Sequence, residues 1–493
     1  VTPLETPSVE YGLLVPVLAP IVGALALLLM RSLVPRGFPK VAYVSVTVLT
    51  GAVSLVASWR LWFEVRNGGR LAVADAVVVD GFAVFMLVTI GVAVVLGALT
   101  ADAYLRREGL DGPEYHVLML LSASGGMTMA MANDLIVLFL GLEILSIALY
   151  VLAGFHRGRA ESREAAIKYF VLGSFSSALF LYGVALVYGA TGSTQLPEVA
   201  GFLAENVATG NGILLAGMAL LLVGLGFKVA AVPFHAWTPD VYQGSPTPVA
   251  GFMAAAAKAA GFAGLLRVFF STFATLRLDW QPVVWVLAVL TLLVGSVLAV
   301  VQTDVKRMLA YSSISHAGYV LIGLQAASAD GIAGSLFYLL AYTFMVMGSF
   351  AVVTVVGRRG DAAHDLDSYR GLAARRPGLA LAFTVLLLAQ AGVPFTAGFL
   401  AKFHVIEAAV DAHSYAIAVI GMLSAVIAAF FYLRVTVLMY MAAPAEEGPG
   451  AGARLTVPAG IGITLLAALA FTIGVGVVPE PVLRFAERAT FLF

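Results

Sequence analysis

The sequence predicts an all-α integral membrane protein of about fourteen transmembrane helices, and three observations carry that reading. Of 493 residues, 61% are hydrophobic and only 11% charged, against about 25% charged in a soluble domain. Mean hydropathy is +0.98. Apolar runs of roughly 20 residues, enough to cross a hydrocarbon core of about 30 Å, recur along the chain without the short alternating strands of a membrane β-barrel. Water-soluble and disordered classes are excluded.

The runs lie at about 11–31, 40–62, 81–104, 115–132, 134–155, 165–189, 211–231, 247–271, 281–301, 309–327, 331–357, 378–411 (interrupted), 415–441 and 456–479. No basic segment precedes the first, so no cleavable signal peptide is expected. The segments 65–79 and 190–210 read as extramembrane loops, and 359–377 as a solvated cytoplasmic loop that sets topology. With the N-terminus outside, sixteen basic residues, including Arg36, Arg157, Lys306, Arg376 and Arg454, fall in cytoplasmic loops, and seven, including Arg60 and Arg267, fall opposite. That bias orients the chain, and an even number of spans places both termini outside.

Balanced charge, 28 Lys+Arg against 28 Asp+Glu, argues against nucleic acid as a partner. With no cysteine there is no disulfide, thiolate-held metal or iron–sulfur cluster. There is no dinucleotide fingerprint or phosphate loop, so the chain carries no redox centre or nucleotide site.

The informative residues are the charges inside the apolar runs. Only six lysines stand against 22 arginines, and four of them, Lys168, Lys228, Lys258 and Lys402, lie within or at the ends of spans, as does Arg434. Glu143, in LFLGLEILSIALY, is the acid well inside a span. Three ionised lysines and a glutamate left unpaired would cost on the order of 10–14 kcal/mol, at about 2.5–3.5 kcal/mol each. They must pair, face a hydrated interior or be neutral part of the time, and lysine, unlike arginine, can exchange its proton when buried. Fixed interhelical salt bridges are the competing explanation, but four basic groups in the set cannot all pair with one acid. Lys168 has Glu164 four residues earlier, so an interfacial bridge is a rival there. Arg434 reads as a snorkelling anchor. His316, in YSSISHAGYV, fits a water-wire role as well as a structural one, while His235 and His404 are candidate end-of-path groups.

Val-Pro-Phe occurs at 232–234 and 393–395, each time in a span broken by Gly and Pro and carrying a lysine. Paired broken helices point to two inverted repeats with a midplane site. The expected organisation is three helices in 1–110, a first five-helix repeat in 111–275, a second in 276–441, and a last helix with a tail in 442–493.

Strings along about 80–440 carry a family resemblance: NDLIVLFLGLEILSIALYVLAG, KYFVLGSFSSALFLYG, GFKVAAVPFHAWTPDVYQGSPTPVAGFMAAAAKAAGF, VQTDVKRMLAYSSISHAGY, DLDSYRGLAARRP and AGVPFTAGFLAKF. Together they resemble the antiporter-like subunits of respiratory complex I and the related multisubunit cation/proton antiporters, and most of all the N type. Lysine rather than glutamate at 402 disfavours the M type, and fourteen spans without a long C-terminal extension disfavour the L type. The resemblance implies a proton path of Glu143, Lys168, Lys228, Lys258 and Lys402, as part of an NADH-quinone oxidoreductase acting as a proton translocase. It also implies that NADH, FMN, iron–sulfur clusters and quinone belong to partner subunits, that K-type and M-type membrane-arm subunits are neighbours, and that the site is a bacterial cell membrane. On that reading Glu143 holds Lys228 in an ion pair worth about 4 kcal/mol at 4 Å and an effective dielectric of 20, and breaking it sends a proton on through Lys258 and the groups around His316 to Lys402. A sodium or potassium/proton antiporter subunit is the alternative, weakened by the single buried carboxylate. A subunit that itself binds quinone is the third reading.

Overall fold

The computed structural model describes residues 9–34, 39–66, 68–206, 212–443 and 455–491. Helices α1 (Tyr11–Leu33) and α2 (Val41–Val65) precede an antiparallel hairpin of β1 (Arg70–Ala72) and β2 (Val77–Val79). Then follow α3 (Gly81–Glu108), α4 (Pro113–Met131), α5 (Leu135–Ala153), α6 (Ala160–Thr191), the short α7 (Leu196–Glu205), α8 (Gly212–Val229) and α9 (Trp237–Gly244). Helix α10 (Thr247–Phe252) runs through a π turn at Met253–Ala257 into α11 (Lys258–Arg267). The rest comprises α12 (Arg277–Val300), α13 (Val305–Ala326), α14 (Ala329–Val356), α15 (Leu372–Arg375), α16 (Pro377–Ala391), α17 (Ala397–Asp411), α18 (Tyr415–Met441), α19 (Ala459–Val477) and α20 (Glu480–Glu487).

Each of the fourteen apolar runs falls on a helix or an interrupted helix. Among the described residues, eleven helical segments are long and apolar enough to cross a membrane. Helices α4 and α13 have spanning length, but Ser, Gly, Tyr and His dilute their hydropathy, and α16 and α17 are half-length pieces of 15 residues each. Burial sorts the bundle. The 247–272 segment is wholly enclosed and α14 nearly so, whereas about two thirds of the apolar windows of α1, α6 and α19 face outward. In water that surface would drive aggregation; here it is the lipid-facing wall.

Close packing inside the wall relies on small residues. At the α4–α5 crossing a Cβ on Gly125 would lie 2.4 Å from the Leu145 nitrogen, and one on Gly141 would lie 2.9 Å from the Gly125 carbonyl oxygen. The two backbones touch. Side chains close several helix ends: Asp80 accepts from Ala83 N at 2.8 Å, Asp304 from Arg307 N at 2.8 Å and Ser328 from Gly331 N at 3.1 Å.

Four expectations are corrected. The 65–79 segment holds the β1–β2 hairpin, so the fold is all-α except for this small sheet, and 190–210 holds α7. The 359–377 segment is not a solvated loop: Asp361 and Tyr369 are fully buried and His364 nearly so. Lys306, assigned to a loop, is fully buried in the first turn of α13. Arg267, assigned to an outer loop, is 4% exposed and bidentate to Asp80 at 2.9 Å through Nη1 and Nη2. For Asp361, Lys306 and Arg267 a buried partner distant in sequence repays desolvation of the charge. Arg36 and Arg454, used in the topology count, lie outside the described residues, as do both chain ends.

Asp361 is the densest of these junctions. Its carboxylate accepts from Arg159 Nη1 at 3.0 Å, Lys306 Nζ at 3.3 Å, Thr247 N at 3.2 Å and Thr247 Oγ1 at 2.6 Å, and it meets His364 Nε2 at 2.9 Å. Burial alone would raise its carboxyl pKa. The Lys306 ammonium, then His364 and the Thr247 hydroxyl, outweigh that and hold it well below the usual carboxylate range. One side chain thereby ties α6, α10 and α13 to the loop after α14.

The Arg267–Asp80 pair predicts a measurable asymmetry. Arg267→Met strands a buried carboxylate and should cost on the order of 3–5 kcal/mol, whereas the Asp80→Asn/Arg267→Met double variant should recover most of it. Thermal unfolding of the purified assembly in detergent checks this.

Candidate functional site

The first cluster forms where α8 stops. Ala230 adopts φ +63°, Ala231 N reaches back to the Gly226 carbonyl at 2.8 Å, and Val232 N is met by Thr291 Oγ1 at 2.9 Å, so the chain leaves the helix without orphaned amides. Lys228, in the last turn of α8 and 5% exposed, donates to Ser146 Oγ at 2.8 Å and to Tyr169 OH at 3.4 Å, with its ammonium 5.7 Å from the Tyr169 ring centre. Tyr169 stacks on Trp237 at 4.5 Å, and the Trp237 indole donates to the Phe227 carbonyl beside the break, at 3.1 Å.

The expected Glu143–Lys228 ion pair is not formed. Ser146, one helical turn beyond Glu143 on α5, takes the contact instead. Glu143 is half-buried, and its Oε1 has no hydrogen-bond partner among the described residues. Around it α5 exposes Leu140, Ile144 and Ile147.

The second cluster centres on α13. Lys258, 3% exposed at the junction of the π turn and α11, donates to the Ser313 carbonyl in a close contact. A π turn adds a residue per turn and re-aims the side chains after it, a device frequent at functional sites. His316 is gripped on both nitrogens: Nδ1 is 2.6 Å from Tyr338 OH and Nε2 is 3.1 Å from Tyr432 OH. Tyr432 OH also bonds Ser312 Oγ, and Ser424 Oγ lies 3.5 Å from Ser315 Oγ and donates to Ser296 Oγ at 3.2 Å. Tyr342, whose hydroxyl has no partner among the described residues, packs 4.7 Å from the His316 ring.

The third cluster sits at the second break. Helix α16 ends at Gly392, with φ +97°, and α17 restarts under the Thr396 cap. Lys402, 6% exposed, reaches back across the gap to donate to the Ala391 carbonyl at 2.8 Å, at the negative end of α16. Its ammonium lies 4.8 Å from the Tyr319 ring centre, and Tyr319 stacks on Tyr338 at 5.9 Å. The second and third clusters are therefore joined through Tyr319, Tyr338 and His316.

Lys168 stands apart. Its side chain is 42% exposed and bridges Glu164 at 2.7 Å and Asp240 at 2.6 Å, while Asp240 also holds Arg307 at 2.6 Å. The i, i+4 rival weighed for Lys168 is thus the geometry observed. Arg434 donates to the carbonyls of Val300 and Gln302 at the end of α12, at 3.1 and 3.4 Å. His235 Nδ1 is buried without a partner among the described residues, and His404 lies 3.2 Å from Glu407.

Sequence reasoning picked out the serines beside His316 but missed the tyrosine hydroxyls. Tyr169, Tyr338 and Tyr432 lie 59, 22 and 116 residues from the groups they touch, and one sequence carries no signal for such pairs. Ser146, a turn after Glu143, was the one partner within reach of periodicity. Among the described residues no group of three His, Asp or Glu side chains is placed to hold a metal. Polar groups arranged this way can pass protons between hydroxyl, imidazole and ammonium.

The family described as NADH:quinone oxidoreductase/Mrp antiporter, TM matches residues 132–428, which contain all of the three clusters except Tyr432. The chain belongs to this family. Among its relatives in the NADH:quinone oxidoreductase/Mrp antiporter family, NADH-quinone oxidoreductase subunit N of Trichlorobacter lovleyi is 42% identical over 489 residues, 98% of each chain. A chain of respiratory complex I from Thermus thermophilus with bound aureothin superposes with a TM-score of 0.80 at 33% identity, over 96% of this chain and 99% of that one. A chain of the Mrp complex from a Dietzia species gives 0.86 at 21% identity over 97% of each, a likeness of fold alone.

Tyr432 is the hinge of the hydroxyl chain, shared by Ser312 and His316. Tyr432→Phe should slow proton translocation several-fold, whereas Tyr115→Phe, a buried tyrosine packed on Phe155 away from the clusters, should leave it unchanged. Dye-reported acidification of inverted vesicles separates the two.

Proposed function

We propose that the chain moves protons across the membrane as the N-type, membrane-arm subunit of an NADH-quinone oxidoreductase, through Lys228, Lys258, the His316–tyrosine group and Lys402. The observation that carries this is three buried ammonium groups, two of them beside helix breaks, each held by hydroxyl or carbonyl oxygen and none by a carboxylate among the described residues. A lysine with a carboxylate partner stays charged. One held by neutral oxygens can lose its proton to a neighbouring hydroxyl or water and take it back.

The chemistry that drives transfer belongs to partner subunits. This sequence has no cysteine for an iron–sulfur cluster and no dinucleotide fingerprint, so its residues do not fit NADH, FMN or a cluster, and no step is routed through them. Glu143 acts as the receiver. Half-buried beside an exposed apolar strip of α5, it faces the side on which a neighbouring membrane-arm subunit would dock, and a change in its charge or orientation reaches Lys228 through Ser146 one turn away. K-type and M-type subunits are the proposed neighbours.

The proposed orientation in a bacterial cell membrane puts both termini outside. Moving Lys306 and Arg267 from loops to the interior removes one residue from each side of the charge count, so the bias survives. The two halves, 111–275 and 276–441, each contain one broken helix, which supports the inverted-repeat division. Lys168 belongs to the rim of the cytoplasmic face on this reading and supplies charge there.

Two variants test the path in membranes. Lys228→Ala should abolish coupled NADH oxidation and proton pumping with assembly intact on a native gel; wild-type rates would make the lysine structural and end the proposal for the first half. Glu143→Gln should also stop pumping in an assembled complex.

A further inference from the structure

We propose that His364, held by Asp361, is the group that takes up protons at the cytoplasmic mouth of the path. The inference rests on the proton-translocating reading above and adds the residue at which the proton first enters the protein.

Its setting is a cleft of about 620 Å³ at the face carrying the starts of α6 and α13 and the end of α9. Lys168, Asp240, Asp304, Asp361 and His364 are in its lining. The His364 side chain is 5% exposed. Its Nε2 lies 2.9 Å from Asp361 Oδ1, and its Nδ1 is buried with no hydrogen-bond partner among the described residues. A buried ring nitrogen without a partner is costly and calls for a purpose.

The Asp361 junction fixes what that nitrogen can do. The carboxylate is already met by Arg159, Lys306 and two groups of Thr247, so it stays ionised and serves His364 as an acceptor only. A carboxylate at Nε2 places the ring proton there and leaves the Nδ1 lone pair free to act as a base.

The route inward is short in chain terms. Lys306 Nζ donates to the Ser245 carbonyl at 2.6 Å, and the hydroxyls of Ser245 and Thr238 are buried without partners among the described residues. Both belong to α9 or its C-cap, the segment that follows the break after Lys228. A turn of the His364 side chain brings the Nδ1 lone pair to water of the cleft, where it takes a proton, and the imidazolium formed against Asp361 releases the same proton inward to water on the α9 side. Only N–H and O–H bonds form and break, and His364 returns to neutral.

The test uses the assembled complex in inverted membrane vesicles, with His364→Ala, His364→Gln and added imidazole, and with wild-type vesicles in the same imidazole as baseline. The expected result is a several-fold loss of NADH-driven pumping in His364→Ala with native-gel assembly intact, substantial restoration by imidazole, and no restoration in His364→Gln, whose amide can still donate to Asp361 but cannot carry a proton. Wild-type pumping in His364→Ala, full pumping in His364→Gln, or an assembled alanine variant that imidazole does not rescue overturns the assignment. If the alanine variant does not assemble, the glutamine variant decides: low pumping in an assembled complex supports uptake at His364 and full pumping refutes it. Lys228→Ala run in parallel keeps the two ideas apart. Loss of pumping there with normal pumping in both His364 variants sinks only the uptake group, while wild-type pumping in Lys228→Ala sinks the path itself.

Discussion

An ammonium group buried in hydrocarbon must find oxygen, and the interior of this bundle is arranged around that requirement. A regular helix offers little, since each carbonyl is already spent on an amide four residues on. Oxygen becomes available in three ways, and each lysine uses a different one. Lys402 takes the Ala391 carbonyl released where α16 stops, Lys258 leans on the Ser313 carbonyl of a neighbouring helix, and Lys228 takes a serine and a tyrosine hydroxyl. A hydrogen bond to a charged group is worth about 1.5–3 kcal/mol, while exposing that charge at a helix centre costs about 2.5–3.5 kcal/mol. Each of these hydrogen bonds therefore offsets much of the cost of holding the charge there.

Around this near-balanced interior stand charges with the opposite design. Asp361, with Arg159, Lys306, His364 and Thr247, and Asp240, with Lys168 and Arg307, bind parts of both halves into one face. Arg267 with Asp80 is a third such pair, and Phe82 and Phe491 each lie within about 6 Å of its guanidinium, packing it under the chain's last described residues. Carboxylates hold the frame, and neutral oxygens hold the three buried lysines.

Hydropathy and helix-breaking residues made the frame legible in sequence, because both act locally. The run 415–441 coincides with α18, and Gly392 and Pro394 mark the break between α16 and α17. Lys228, Lys258 and Lys402 stood out for the same reason, each being a charge among apolar neighbours. What could not be read were partners. Lys306 sits beside Asp304 and Arg307 in a stretch that looks like a polar turn, and only Asp361, 55 residues on, shows that it is interior. Arg267 resembles an ordinary helix-end cation until Asp80, 187 residues away, meets it. The Glu143–Lys228 pairing failed for a subtler reason: opposite charges at suitable depth suggested contact, but one helical turn decides which side chain of α5 faces Lys228, and Ser146 occupies that turn.

The contact between Gly125 and Gly141 bears on how a signal can enter. With the two backbones in touch two residues before Glu143, α5 is clamped to α4 and can neither slide nor turn without driving one main chain into the other. Helix α5 is a rail, not a piston. Whatever reaches Glu143 from outside must be conveyed by its own few rotatable bonds and the water around them, on the nanosecond scale of side-chain motion. On the proposed path, slower backbone rearrangement is left to the interrupted helices.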